Sequence, residues 1–429
     1  MLSRTANINM KIDRHNPHVH TAFYVSLAFF VILGVIFPVF SVIAFGLMAI
    51  YVIMACPKNV FLCLFFMMPF ASVFKTAPSA TSLFTYIVLL VVIRLFFSRK
   101  KISSTFLLLW ILLFVYLFFG ANGQYTVLIK QAIILPMIYL FFTGERPHVK
   151  DLVLTYAKGL FLSSFIAFFN DVIPNITDYI QYGYAYELEG EITRFSGLYS
   201  DPNYYSLALI MVLVGILLLY ANKLLGNSTF VFYGIVAFLG AQTVSKSFFL
   251  MLIFLSILNI IVQIKSKKYL GAVAFSLIAI VAIAVVLVGD SSIFQTVKDR
   301  LLSGQDVTTG RGVLWGKYWM YLTENPLKLL VGSGVGVGYL LGGAPHNTYL
   351  DFLYYYGIFG TILFVFGMRF ALSGVNGKKR KVSQFLPLLY AMIMYFFVSG
   401  LVHFDFVFIL IYVFYIWNSD FLEKPKTRH

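Results

Sequence analysis

Charge is what this 429-residue chain has least of: Asp, Glu, Lys and Arg together make up 11% of it, against 60% hydrophobic residues. So little polar surface cannot cover a soluble globule, and a mean hydropathy of +0.87 places the chain among integral membrane proteins. Acidic residues are the scarcer sign, 17 against 32 Lys and Arg, which leaves a net charge of +15. Cysteine is nearly absent. Cys56 and Cys63 flank one short turn, so a disulfide scaffold is excluded and packing is their expected role. Several kinds of chemistry lack their residues as well: there is no carboxylate pair set for glycosidase work, no His/Cys cluster with metal spacing and no Gly-x-Ser-x-Gly elbow. No internal repeat, low-complexity tract or soluble domain is visible. Residues 1–20 lack the apolar stretch and small-residue site of a cleavable signal, so the first hydrophobic segment is expected to be retained.

What the chain has instead is apolar runs of about 17–25 residues, the length a helix needs to cross a bilayer. They lack the alternation of lipid-facing strands, so an all-α polytopic membrane protein is expected. Candidate spans lie near 21–37, 39–56, 59–75, 80–98, 105–120, 125–143, 151–170, 203–222, 229–243, 247–264, 270–289, 347–371, 384–400 and 403–418. The pair around Pro38 and the final hairpin can also be read as re-entrant, giving 12–14 transmembrane helices. Basic clusters at Arg99-Lys100-Lys101, Lys265/Lys267/Lys268, Lys378-Lys379-Arg380-Lys381 and Lys424/Lys426/Arg428 fall on alternate connections. That is the positive-inside pattern; it puts both termini in the cytoplasm and leaves nucleic acid nothing to explain. The organisation is then N-terminal helices (1–170), external loop one (171–202), central helices (203–289), external loop two (290–346), C-terminal helices (347–418) and a cytoplasmic tail (419–429).

Long loops in such a chain are usually functional. Loop one is acidic and tyrosine-rich, with Tyr179, Tyr182, Tyr184 and Tyr186 beside Glu187, Glu189 and Glu191, suited to an interfacial belt or to stacking on sugars. It ends in Arg194 and a helix start at Asp201 or Asn203. Loop two carries Arg311, then glycines 332, 334, 336 and 338, then His346 and Asn347. The glycine run has no strand before it, so a nucleotide site is not indicated; a mobile loop with close backbone approach is the expectation. Arg194 and Arg311 offer the planar donor fork that suits phosphate oxygens, or are solvated loop cations. His346, where the chain re-enters the membrane, is placed to act as a general base or to cap a helix. Lys75, Lys130 and Lys246 lie at or just below the outer face and can meet one anionic head group or snorkel. Arg94 and Arg369, near inner helix ends, need only snorkel. His15, His18 and His20 are assigned to a disordered cytoplasmic tail, and His403 with Asp405 forms a polar pair without an assigned role.

Arg194-Phe-Ser-Gly197, Asp201-Pro-Asn203, Gly310-Arg311, Glu324-Asn-Pro-Leu327 and His346-Asn347 followed by Gly357-Ile-Phe-Gly360-Thr361 occur in one order on the two external loops. In these residues, and in Met68-Pro-Phe-Ala-Ser-Val-Phe-Lys75, the chain resembles the O-antigen polymerase and O-antigen ligase superfamily. The resemblance implies a GT-C-like helical fold and a metal-independent, inverting glycosyltransferase without a cofactor, at the outer face of the bacterial inner membrane. Its substrate would be an oligosaccharide on undecaprenyl diphosphate, and a chain-length regulator is a further candidate partner. Arg194 and Arg311 would hold the diphosphate and His346 would activate the acceptor hydroxyl, with Lys75, Lys130, Lys246 and Asn347 as substrate-binding candidates. A polymerase is favoured over a ligase to lipid A core, because the ligase pattern has Leu where this chain has Trp315. A transporter or flippase of lipid-linked glycans is the alternative from another class; it would call for broken helices, paired charges near the midplane and symmetric halves, and no such symmetry is seen.

Overall fold

A computed structural model describes residues 17–99, 101–170, 172–180, 185–187, 190–192, 195–243, 245–288, 311–339, 343–373, 382–403 and 405–419. Helices dominate it. In chain order they are α1 (Pro17–Ile36), α2 (Pro38–Met54), α3 (Pro57–Met67), α4 (Leu83–Phe97), α5 (Ser104–Phe119), α6 (Tyr125–Ala132), α7 (Ile134–Thr143), α8 (Val149–Ala167), α9 (Ile176–Tyr179), α10 (Pro202–Ala221), α11 (Thr229–Ala241), α12 (Lys246–Lys265), α13 (Tyr269–Val288), α14 (Arg311–Glu324), α15 (Pro326–Val331), α16 (Thr348–Ala371), α17 (Leu386–Met394) and α18 (Asp405–Asn418). A small antiparallel hairpin, β1 (Ala185–Glu187) with β2 (Gly190–Ile192), interrupts the helical pattern in loop one.

Each expected apolar run holds a helix. Among the described residues, five helical segments are long and apolar enough to cross a membrane: Val19–Ile36, Tyr125–Thr143, Pro202–Ala221, Lys246–Lys265 and Thr348–Ala371. The other apolar helices are shorter. The boundaries follow local chemistry: Pro38, Pro57, Pro202 and Pro326 each open a helix, where a missing N–H costs nothing. Ser82, Ser103 and Asn347 cap others by accepting backbone N–H bonds, and Asp201 caps α10 in the same way.

α10 is the axis of the bundle, with all of its residues buried. A helix apolar on every side belongs where protein surrounds it, and α10 packs against α8, α11, α12, α17 and α18. The segment around Pro38 is an antiparallel hairpin: Phe37 is extended, and Phe23 of α1 stacks on Tyr51 of α2 with centroids 4.6 Å apart. His20 belongs to α1 rather than to a tail. Its Nδ1 lies 2.9 Å from the Tyr51 hydroxyl, and Asn59 Nδ2 lies 3.3 Å from its Nε2. His15 lies outside the described residues. Cys56 and Cys63 are buried free thiols.

α16 is broken at Gly357, whose φ of 62° lies in the left-handed region. The glycine run of loop two is docked on that break. Ser333 N–H donates to the Tyr354 carbonyl (2.7 Å), Gly334 N–H to that of Tyr355 (3.1 Å), and the Tyr116 hydroxyl to that of Tyr356 (2.7 Å). A Cβ on Gly357 would come within 2.3 Å of Gly332 N, and one on Gly332 within 2.4 Å of the Tyr355 carbonyl oxygen. The close backbone approach expected of these glycines is therefore to the protein's own helix, which fixes the run in place. Irregular backbone inside an apolar bundle persists only where protein groups satisfy it, and these three donors do so.

Candidate active site

The starts of α10, α12, α16 and α18 meet at one end of the bundle. Hydrogen bonds tie them: Ser245 Oγ donates to Asn203 Oδ1 (3.2 Å), Gly400 N–H donates to Thr348 Oγ1 (2.8 Å), and Thr348 Oγ1 donates to the Val398 carbonyl (2.7 Å). Gln131 of α6 joins them by donating to the Leu401 carbonyl (2.6 Å) while accepting from the Tyr356 hydroxyl (2.7 Å). Each helix start directs a partial positive charge into this region, which favours an anion nearby.

His346 sits at this junction with φ +48°. A residue other than glycine pays a conformational cost in the left-handed region, smaller for histidine than for a β-branched residue, and stays there where its surroundings hold it. Here they come from α14. Trp315 Nε1 donates to the Pro345 carbonyl (2.7 Å) and the Tyr318 hydroxyl to that of Gly343 (2.7 Å), bracing the residues that lead into His346. Arg311, Trp315 and Tyr318 are spaced i, i+4 and i+7, so Arg311 lies on the face of α14 that meets the His346 segment. The helix cap is Asn347, whose Oδ1 accepts from Tyr349 N (3.0 Å) and Leu350 N (3.2 Å); His346 is not the capping residue.

Beside this junction is a cavity of about 420 Å³ whose walls include Lys75, Lys130, Tyr199, Ser200, His403 and Asp405. Two of the three lysines named from sequence share it. Lys246 begins α12 next to Asn203 and is not among its wall residues. Burial lowers the Lys75 pKa from its ordinary value. His403 stacks on Tyr204, centroids 3.7 Å apart, and its pKa is pushed down to about 4. Burial is the main cause; Lys130 and His346 repel the imidazolium further, and Asp201 partly offsets them. His403 is thus a neutral imidazole at neutral pH, and its coupling places His346 within electrostatic reach of the cavity wall. Burial also pushes the Tyr199 phenol up.

No known protein family, curated protein or solved structure matches this chain. The site therefore has to be read from its own geometry. Among the described residues no three His, Cys, Asp or Glu side chains form a metal cluster. Arg194, Tyr182 and Tyr184 lie outside the described residues, and Tyr179 is buried in the core. The site gains residues that carry no expected role from sequence. His403 and Asp405 are the clearest, two polar residues in a turn that is otherwise apolar on both sides. Asp351, fully buried in the first turn of α16, is another: its Oδ1 accepts from Ser399 Oγ (3.1 Å) while its Oδ2 has no partner. A carboxylate one turn into a span was the available signal.

Proposed function

We propose that the chain is an inverting glycosyltransferase that polymerises oligosaccharide repeat units carried on a lipid diphosphate, undecaprenyl diphosphate in a bacterial inner membrane, at the outer face. The observation that carries this reading is His346, held in a strained conformation by α14 at a junction of helix starts and beside a cavity lined by two lysines. An imidazole nitrogen of His346 takes the proton of the acceptor sugar's hydroxyl. The acceptor oxygen bonds to the anomeric carbon of the growing chain from the face opposite the leaving group. The bond from that carbon to the diphosphate oxygen breaks, and the lipid diphosphate departs with the electron pair. Arg311, on the α14 face toward His346, and Arg194 stabilise that growing charge. A GT-C-like bundle of 12–14 crossings completes the reading, with both polar loops outside.

The ligase alternative draws on Gly357, Gly360 and Thr361 after His346-Asn347. In this fold Gly357 makes the α16 break and Thr361 Oγ1 donates to the Gly357 carbonyl (2.6 Å), which gives these two residues a structural use that needs no particular acceptor. Trp315, where the ligase pattern has Leu, has its own work at Pro345. A transporter would use the carbonyls of a broken helix to hold its solute; those of Tyr354, Tyr355 and Tyr356 each accept a donor from the protein itself. The test is purified protein given one defined lipid-linked repeat unit. A ladder of products supports the polymerase; product formed only when lipid A core is added makes it a ligase; neither, with movement of the lipid between leaflets, overturns the enzyme.

A further inference from the structure

The cavity beside His346 has a mixed chemistry that a bare diphosphate does not explain. Lys75 and Lys130 stand close enough to repel one another, so an anion there relieves both. Yet the same wall contains Asp405, only 8% exposed, with Oδ2 lacking any hydrogen-bond partner. A buried carboxylate oxygen without a donor is costly, and a diphosphate, which is all acceptor, would repel it rather than satisfy it. Tyr199 adds an aromatic wall and Ser72 and Ser200 add hydroxyls. At about 420 Å³ the space is at the scale of small-molecule sites, about 300–1,000 Å³, and larger than a lone anion fills.

We infer that this cavity is a subsite for an acidic sugar, its ring carboxylate between Lys75 and Lys130 and a ring hydroxyl donating to Asp405. The requirement is a molecule that carries both a negative charge and a hydroxyl donor, which a hexuronate meets. The inference rests on the glycan-handling reading above for the class of ligand, and it reassigns Lys75 and Lys130 from the lipid diphosphate to the sugar.

Binding to the full-length protein in detergent tests it without turnover. Thermal-shift titrations with glucuronate, glucose and inorganic phosphate are run on the unmodified protein and on Lys75→Met, Lys130→Met and Asp405→Asn. Glucuronate should bind best, and each substitution should weaken it about tenfold, the size of one charged hydrogen bond lost. His346→Ala should bind glucuronate normally, so failure of the proposed chemistry and failure of this subsite are read separately. Phosphate binding as well as glucuronate, with Asp405→Asn indifferent, would make the cavity a head-group site and overturn the inference. No shift with any of the three would overturn it too. Asp405→Asn keeps the side chain's size, and its melting curve without ligand reports whether it folds.

Discussion

Two histidine clusters occupy different regions of the bundle, and they are built on opposite plans. His20 is closed in: Tyr51 and Asn59 engage its two ring nitrogens, and the Tyr24 hydroxyl donates to the Asn59 carbonyl (3.1 Å) and meets the Tyr51 hydroxyl (3.1 Å). The partners are all in one hairpin and the helix after it. The His346–His403 cluster is open, with orphan oxygens on Asp351 and Asp405, a strained backbone at His346 and a cavity against it. A polar network that satisfies itself stabilises a fold, whereas a buried polar group left without a partner costs stability. Residue type alone does not separate the two, since each holds histidine, tyrosine and an amide or carboxylate.

The largest expected effect comes from removing each histidine in turn. His346→Ala should lower polymer formation by about 10²–10⁴-fold, the usual contribution of a general base, whereas His20→Ala should leave turnover intact and cost about 1 kcal/mol of stability. His346→Gly sharpens the contrast. Glycine adopts φ +48° without strain, so this variant should lose activity as fully as His346→Ala yet melt at a higher temperature. Polymer made at the normal rate by either variant would end the assignment of His346 as base.

Much of the helical architecture was legible in the sequence, because a helix long enough to cross a bilayer needs an apolar run of matching length. The caps at Asp201 and Asn347 follow local rules as well. What stayed hidden was long-range. Nothing near Lys75 says that Lys130 and Asp405 stand across a cavity from it, because that depends on how α6 and α18 pack. The glycine run looked like a loose loop because its partner, the break at Gly357, lies beyond His346 and is written as an ordinary helical stretch. Trp315 looked like a departure from a pattern, and only its bond to Pro345 reveals a use.

That bond supplies a second test of how the open cluster is held. Trp315→Phe keeps an aromatic ring on α14 but removes the donor to the Pro345 carbonyl, so the His346 segment loses one of its two braces. Misplacing a catalytic group by about 1 Å can cost up to about 10²-fold, so kcat should fall within that range while KM changes little. Tyr318→Phe, which removes the other brace, should act in the same direction. A fall in KM-dependent binding with kcat unchanged would show that α14 holds substrate instead of the base.

The smallest effect is in the pH dependence of stability, and it reports directly on burial at His403. Its folded pKa of about 4 lies below the usual 6.5, so the unfolded chain takes up a proton that the folded site refuses. Above pH 6.5 the two states bind alike and His403 is silent. As pH falls from 6.5 toward 4, folded stability drops, and the loss is complete below the folded value. The loss is at most about 3 kcal/mol. His403→Phe preserves a ring against Tyr204 and removes the proton site. Its melting temperature in detergent should therefore fall less steeply between pH 6.5 and 4 than that of the unmodified protein. The groups facing His403 that set the slope are Lys130, His346 and Asp201, so Lys130→Met should make the parent's fall shallower by a smaller amount. Parallel curves for parent and His403→Phe would mean that this imidazole is solvated and the cluster less enclosed than its packing on Tyr204 implies.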